Sequence, residues 1–572
     1  MENHSIAGIR LERISFSGSR DSVDVSASDV VVLVGANNVG KSRALREIQR
    51  LLVMDQPTVV VADVVFRRIG TADDLEAWLR ACFGTRPGTA SPDTMFMAGR
   101  QSSGQQSMVS AAIERNRWLD NNTLSDLAYF LTLLADAETR LQLANSTESV
   151  DALSDQAIEP LQRLVIDHEA ERRLSASVER AFGVPVVVSR AGGTQVHLML
   201  GGTEAEARLD SPEYLQQLRA LPLVAEQGDG MRSFIGLILT LTATPYPLVL
   251  IDEPEAFLHP PQAREIGRQL GEAGSGQRIV ATHSADVLLG ILDRAPTATV
   301  IRLRRRDDEN VPAVLGHVDV RDLWKDPTLR YSNLLEGLFH PGVIICEADG
   351  DARLYSAALD AEHELSGGPA SDLLFTHCGG KGRLPRAIRA LRALDVPVVA
   401  IADVDALREH QLLSEIVEAL GGSWSDLRTD WATVAAAMEA QPAHAPIIHD
   451  VREAIALVLG EDDAARLSER QTRKIRELTK STDEWRTLKT AGLAGLPRGH
   501  AAEAGARLVK QLESLGLLIV PVGELESWGP TLGGHGAGFV AAALDAKLHE
   551  TSDALRSFAV QAARLVSQLD AQ

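Results

Sequence analysis

The sequence predicts an α/β chain built from two successive parallel-sheet domains, each interrupted by a run of helices. Three observations predict it. A β-branched run from Val30 leads into Gly35-Ala36-Asn37-Asn38-Val39-Gly40-Lys41-Ser42 and then into helix formers through Leu45, which reads as strand, glycine-bounded loop and helix. Pro247 to Ile251 is apolar without alternation and stops at Asp252-Glu253-Pro254-Glu255, as a strand buried on both faces does. From Gly342 onward short apolar runs alternate with helical patterns, which implies strands paired in parallel with their carboxyl ends on one rim.

The 572 residues suffice for about two to four domains with sizeable cores. A formal charge of -21 argues against a surface coated for nucleic acid, but leaves room for a local basic groove. Cys82, Cys346 and Cys378 are far apart and form no C-x-x-C pair, which speaks against disulfides or a zinc site and fits a reducing compartment. No apolar run has membrane-spanning length, and Met1-Glu2-Asn3-His4 lacks a basic segment followed by an apolar one, so a cytoplasmic location is expected.

In the first half, Ile9 to Phe16 and Val23 to Val25 read as strands ahead of the glycine-bounded loop. Residues Gly35, Asn37, Asn38 and Gly40 shape a P-loop whose backbone N–H groups wrap phosphates; Lys41 reaches the outer phosphates and the Ser42 hydroxyl ligates Mg²⁺. A β-branched run follows from Thr58 to Phe66. Leu124, Leu127, Phe130, Leu131 and Leu134 recur at three-to-four spacing, so the stretch from Ala111 to Arg180 is expected to be a helical insertion. Val184 to Val188 and Gln195 to Leu200 read as a hairpin around Arg190-Ala191-Gly192-Gly193. Glu226-Gln227-Gly228-Asp229-Gly230-Met231-Arg232-Ser233 then precedes an apolar helix, and its glycines expose N–H groups that suit a phosphate arriving from another subunit. Asp252 is placed to hold Mg²⁺ and Glu253 to orient the attacking water. His283, at the end of the strand from Arg278 to Ala281, is placed as a γ-phosphate sensor.

In the second half, Gly342 to Cys346 is a strand ending in Glu347, followed by Ala348-Asp349-Gly350-Asp351 and a helix. Leu373 to Cys378 is the next strand, and Val396 to Ala402 the third, ending in Asp403-Val404-Asp405. Parallel pairing brings Glu347, Asp403 and Asp405 to one rim, a hard-oxygen set suited to Mg²⁺ or Mn²⁺ and to phosphodiester cleavage. Lys381, Arg383, Arg386, Arg389 and Arg392 recur along one helix, which could track a phosphate backbone or be a solvated face. Residues 406–515 are helical and charge-rich, including Ser468 to Lys480, and the C-terminal helix from Ser552 to Leu569 carries an apolar stripe.

G-A-N-N-V-G-K-S, Q-G-D-G-M-R-S, L-V-L-I-D-E-P-E-A-F-L-H-P and A-T-H-S resemble the ATPase of the ABC class, in the branch found in SMC and Rad50 proteins and in OLD-family (overcoming lysogenisation defect) nucleases. C-E-A-D-G-D-A-R-L-Y and I-A-D-V-D-A are similar to the V-E-G-x-x-D and D-x-D segments of a TOPRIM domain, the second half of OLD nucleases, Gabija-type nucleases among them. The resemblance implies an ABC-type P-loop ATPase at 1–320 with a helical insertion at 111–180, a connector at 321–340, and a TOPRIM-like domain at 341–572 with a helical insertion at 406–515. It implies ATP and Mg²⁺ as cofactors, with Mn²⁺ an alternative at the nuclease site. It also implies a homodimer in which Gly228, Gly230 and Ser233 face the partner's nucleotide.

Glu347, Asp351, Asp403 and Asp405 would be the nuclease acids, Glu524 or Glu526 a further ligand, and Lys381, Arg383, Arg386 and Lys547 phosphate contacts. OLD nucleases use a lysine near the scissile phosphate, for which Lys510 and Lys547 are candidates and His535 a stand-in. Two departures stand out: the signature is not S-G-G-Q, and Ala348 replaces the glycine after the glutamate. A glutamine-loop residue could be Gln101, Gln105 or Gln106, and no long heptad arm is present.

The implied function is an ATP-hydrolysing, metal-dependent endonuclease acting on DNA in antiphage defence or DNA processing, with a second defence protein as a candidate partner. A repair ATPase with weak cleavage, an ATP-driven sensor that holds or releases a partner protein, and an RNA substrate remain the alternatives.

Overall fold

The computed structural model describes residues 7–571 except 88–93, 101–105, 121–122, 151–156, 158, 191–192, 203–210, 244–245, 273, 275, 307, 316–332, 441–447, 460–466, 469–470, 473 and 476–484. The chain divides into two compact units, Met1–Lys325 and Asp326–Gln572. Gln101 and Gln105 lie outside the described residues, as do 321–332 of the expected connector, 476–480 of the Ser468 to Lys480 stretch and Ala191-Gly192 of the expected hairpin turn.

The first unit is organised on a six-stranded sheet in the order Glu309–Leu315, Thr299–Arg306, Val30–Val34, Gln277–Ala281, Leu248–Asp252, Thr132–Ala135. All neighbours are parallel except the first pair, which is antiparallel. Every residue of Val30–Val34, Leu248–Asp252 and Gln277–Ala281 is buried; the first two read as nearly unbroken apolar runs, while the third opens on Gln277 and Arg278, whose side chains hydrogen-bond inside the core. Their carboxyl ends therefore share an edge, and the P-loop, Asp252 and Thr282-His283 all begin there.

The expected helical insertion at 111–180 is corrected by Thr132–Ala135, which pairs with Leu248–Ile251 in the main sheet. The helices Ala111–Asp120, Ala137–Leu143, Pro160–Ile166 and His168–Phe182 surround it. A strand buried on both faces does not alternate, so Leu131, Leu133 and Leu134 match a helical stripe and a sheet edge equally well in sequence.

A smaller antiparallel sheet of Val23–Asp24, Gly8–Phe16 and Val61–Ile69 covers this core with Ile9, Leu11, Ile14 and Phe16. Gln277 joins it to the main sheet. The amide is 2% exposed; its Oε1 accepts from Leu11 N–H at 2.8 Å, and its Nε2 donates to the carbonyls of Leu11, Val25 and Ser28 at 3.2 Å each. The hairpin of Val186–Ser189 and Gln195–Leu200 forms as the sequence indicates.

The second unit holds a four-stranded parallel sheet in the order Leu374–His377, Val343–Cys346, Val398–Ala402, Leu517–Ile519. Asp349–Ser366 and the C-terminal helix Asp553–Ala571 cover one face, where Leu354, Tyr355 and Leu359 meet Phe558, Ala559 and Ala562. Leu384–Ala393 packs on the sheet with Leu384, Ile388 and Leu391 buried. The connection from Ala402 to Leu517 is helical among the described residues, with His410–Ala419, Trp424–Glu439, Ile448–Leu459 and His500–Leu515. No helix of the described residues is long and apolar enough to cross a membrane. All three cysteines are free thiols.

Gln277→Leu keeps the volume but orphans one N–H and its carbonyl partners inside the core. It is expected to lower the stability of the first unit by on the order of 3 kcal/mol in urea unfolding followed by tryptophan fluorescence. A loss under about 0.5 kcal/mol would show that the two sheets do not depend on this amide.

Candidate functional site

The P-loop leaves the central strand through a turn that only glycine can make closely. Gly35 has φ +144, and a Cβ there would lie 2.4 Å from the Leu303 carbonyl oxygen. Asn37 and Asn38 are exposed on the loop, Asn38 with φ +61. The helix Lys41–Val53 starts behind Gly40, and the buried Lys41 Nζ donates to the carbonyls of Gly35 and Ala36 at 2.7 Å each. Asn310, on the neighbouring edge strand, donates to the Val39 carbonyl at 2.5 Å and anchors the loop from the side.

Asp252 ends its strand beside this helix. Burial raises its carboxyl above the usual range while the Ser42 hydroxyl pulls it down, and Arg46 Nη2 stands 3.9 Å from its Oδ2. Its Oδ1 is buried with no hydrogen-bond partner. An unpartnered carboxylate oxygen next to a serine hydroxyl is a donor set that suits Mg²⁺. Glu253 is exposed, adopts φ +47, and lies 3.5 Å from His283 Nε2 through its Oε1. Glu255 fixes that histidine's backbone: its carboxylate accepts from His283 N–H at 2.6 Å and from the Thr282 hydroxyl at 2.9 Å. The structure thus brings Lys41, Ser42, Asp252, Glu253 and His283 to the same strand edge.

The second glycine segment departs from expectation at Ser233. Gly228 caps the helix Asp229–Thr242 and is exposed, with open space around it. Gly230 is spent on packing, since a Cβ there would lie 2.5 Å from the Phe257 carbonyl oxygen. Ser233 is 1% exposed and accepts a hydrogen bond from Arg140 Nε at 3.0 Å, so its hydroxyl points into the protein and not toward an incoming nucleotide. Arg140 itself, fully buried, is a residue the sequence reading missed.

In the second unit the acids gather at the carboxyl rim as expected. Glu347 Oε1 accepts from Asp403 N–H at 3.1 Å. Burial pushes the Glu347 carboxyl up to about 7, with Asp405 and Asp351 adding to the rise and Lys381 opposing it. Asp403 rises to about 8 through burial first and then through Glu347, Asp351, Asp405 and Glu524. Asp351, raised mainly by burial and also by Glu526, accepts from Ala348 N–H at 2.9 Å.

The carboxylates stand as separate side chains along the rim. Among the described residues no three His, Cys, Asp or Glu side chains stand close enough to enclose an ion. Like charges keep them apart, and two are drawn elsewhere. Asp405 is held by Lys381 at 3.1 Å and Lys489 at 3.0 Å; burial acts upward on it, and the two ammonium groups outweigh burial and leave it below the usual range. Glu526 accepts from Gly536 N–H at 2.8 Å and pairs with His535.

The basic residues sort differently from expectation. Lys381 is engaged by Asp405 and by Glu409 at 2.6 Å and, with the exposed Arg383, lies on the 3-10 turn Lys381–Arg383 ahead of the helix Leu384–Ala393, on which Arg386 and Arg389 are exposed. Arg392 donates to the Leu420 carbonyl. Lys547 pairs with Glu550 at 3.0 Å, and Lys510 lies on the helix that feeds the amino end of Leu517–Ile519, away from the rim. A second lysine stands at the acids beside Lys381: Lys489, 3.0 Å from Asp405 and 3.6 Å from Glu524. Its backbone is clasped by the acidic loop: Ser527 Oγ donates to the Lys489 carbonyl at 2.9 Å, and a Cβ on Gly523 would lie 2.3 Å from that oxygen. No local motif marks Lys489; its only signal is a position ahead of the last strand.

A protein-family profile described as "AAA domain, putative AbiEii toxin, Type IV TA system" matches residues 213–290, the span from the glycine segment through Asp252, Glu253 and His283. An OLD nuclease of Thermus scotoductus is 29% identical over 167 residues, covering 27% of this chain and 30% of that protein. The chain thus matches less than a third of that relative's length. Among solved structures, an Smc head bound to the C-winged helix domain of ScpA has TM-score 0.33 at 13% identity, covering 55% of this chain and 99% of that one. The SMC head domain from Thermotoga maritima has TM-score 0.28 at 13% identity, covering 54% and 99%. The first unit is an α/β P-loop fold with a core of parallel strands. Over the matched segments the chain is similar to an AAA domain and to an OLD nuclease.

The raised acids give a pH test. Unfolded carboxyls release their protons near pH 4, about the model-peptide value, whereas Glu347 and Asp403 hold theirs to about 7 and about 8. The folded chain binds more protons across that window, so its stability falls as pH rises through it, by about 1.4 kcal/mol per unit for each group. In EDTA, Asp403→Asn is expected to melt higher than the parent above about pH 8, with the difference vanishing near about pH 4. A variant that melts lower at every pH would sink the like-charge account.

Proposed function

We propose that the chain is an ATP-hydrolysing, metal-dependent nuclease acting on DNA, in which the first unit binds and hydrolyses ATP and thereby gates the acidic site of the second. The observation that carries the reading is the pair of strand rims. One collects Lys41, Ser42, Asp252, Glu253 and His283, and the other collects Glu347, Asp351 and Asp403 beside Lys489. The likeness to the OLD nuclease of Thermus scotoductus supports the second half of the reading.

In the first unit, Lys41 would turn from the loop carbonyls to the outer phosphates, Ser42 and Asp252 would hold Mg²⁺, Glu253 would orient the attacking water and His283 would hold Glu253. Gly228 and the N–H groups at the start of Asp229–Thr242 would meet the nucleotide of a second copy of this chain, completing a homodimer. In the second unit, Glu347, Asp351 and Asp403 would hold Mg²⁺ or Mn²⁺, with Glu524 supporting. Their mutual repulsion is what a bound cation relieves. A divalent ion there supplies Lewis-acid polarisation of the phosphodiester and a lowered pKa for its water. Lys489 would face the phosphate, and Arg383, Arg386 and Arg389 would track its backbone. Defence against phage, with a second defence protein, is the setting the family resemblance implies.

With supercoiled plasmid in Mg²⁺ or Mn²⁺, Asp403→Ala is expected to abolish cleavage and to leave ATP hydrolysis in place. Glu253→Gln should lower ATP turnover by about 10²-fold or more and spare metal-dependent cleavage. ATP hydrolysis without cleavage of plasmid, linear DNA or RNA under any of these conditions would replace the nuclease with an ATP-driven sensor.

A further inference from the structure

Arg140 sits on the helix Ala137–Leu143, fully enclosed and far in sequence from the motifs it touches. Nη1 donates to the carbonyls of Ala135 at 2.8 Å and Asp252 at 2.6 Å, Nη2 to the carbonyl of Glu253 at 2.9 Å, and Nε to the Ser233 hydroxyl at 3.0 Å. One guanidinium therefore spans an edge strand, the Asp252-Glu253 turn and the helix behind the glycine segment. Burial pulls its pKa down, and Glu255, Asp136, Asp252 and Glu253 support its charge.

Two local features make this a mechanical link. Glu253 has φ +47, a left-handed backbone that a residue with a Cβ keeps only where its surroundings impose it. Three bonds hold it: its carbonyl accepts from Arg140 Nη2 at 2.9 Å and from the Ala256 N–H at 3.0 Å, and its own N–H donates to the Ala281 carbonyl at 2.9 Å. On the other side, a Cβ on Gly236 would lie 1.9 Å from the Arg140 carbonyl oxygen, so Asp229–Thr242 is in backbone contact with the Arg140 helix.

We propose that Arg140 is a positioning residue that couples the Gly228–Ser233 segment to the aim of the Glu253 carboxylate. A shift of Asp229–Thr242, such as docking of a nucleotide at its N-terminus would cause, is passed through Ser233 and Arg140 to the Asp252-Glu253 backbone. The inference rests on the reading of Glu253 as the group that orients water. Lysine cannot replace the fork, because a single ammonium does not reach acceptors spread over one plane.

The test is a double-mutant cycle on the full chain, with ATP turnover and trinitrophenyl-ATP binding as readouts. Arg140→Lys is expected to lower kcat by about 10²-fold while the trinitrophenyl-ATP Kd moves by less than about 3-fold. Added to Glu253→Gln, it should change the residual rate by less than about 2-fold, because it acts through the group already removed. A purely structural role would instead multiply the two losses and overturn the proposal. Ser233→Ala removes one acceptor without a buried charge change and runs the same cycle if Arg140→Lys does not fold; an unchanged kcat there also overturns it. An inactive Glu253→Gln beside a fully active Arg140→Lys fails the proposal alone. Wild-type turnover in Glu253→Gln fails the reading of Glu253, and the proposal with it.

Discussion

Parallel pairing is the constraint on which the rest depends. A parallel strand buried on both faces is apolar along most of its length, as Val30–Val34 and Leu248–Asp252 are, while Gln277–Ala281 carries Gln277 and Arg278 only at its amino end, where their side chains are hydrogen-bonded. Polar chemistry is admitted only where the run stops, and parallel strands all stop on the same side. Asp252, Thr282-His283 and the P-loop are neighbours for that reason, although more than two hundred residues separate Lys41 from Asp252. The same rule places Glu347 and Asp403 side by side in the second unit, where Glu347 accepts from the Asp403 amide.

The two rims differ in how their charges are balanced, and the difference decides what each accepts. In the first unit Arg46 and the buried Arg140 stand near Asp252 and Glu253 and offset their charge. In the second unit the acids outnumber the cations and raise one another, which favours a cation before an anion. Burial is the largest single influence on Asp252, Glu347 and Asp403 alike; what separates them is the company each keeps.

Legibility in the sequence followed locality. Gly35 to Ser42, Asp252-Glu253 and Asp403-Val404-Asp405 were readable because a few adjacent residues carry both the turn and the chemistry. Arg140, Gln277, Asn310 and Lys489 were not, because each acts on partners distant in sequence and sits among residues that carry no motif. Ser233 was misread for a related reason. A hydroxyl next to glycines at a helix start suggests an anion, but it lies a full turn into Asp229–Thr242, on the face that packs inward. Thr132–Ala135 shows the remaining blind spot, a buried edge strand whose apolar run carries no period of its own.

The D-x-D pair shows how packing sets roles that spacing cannot. Asp403 and Asp405 are two residues apart and chemically identical, yet one is raised to about 8 and the other is held below the usual range. The cause is the loop that delivers Lys489. Gly523 lets the chain approach the Lys489 carbonyl closely, its own carbonyl accepts from Val404 N–H at 2.9 Å, and Ser527 ties the same turn down. These backbone bonds fix the ammonium against Asp405, while Asp403 faces Glu347 and Asp351. Asp403 is therefore the acid whose ionised form its buried and acidic surroundings oppose, and Asp405 the one paired with both lysines.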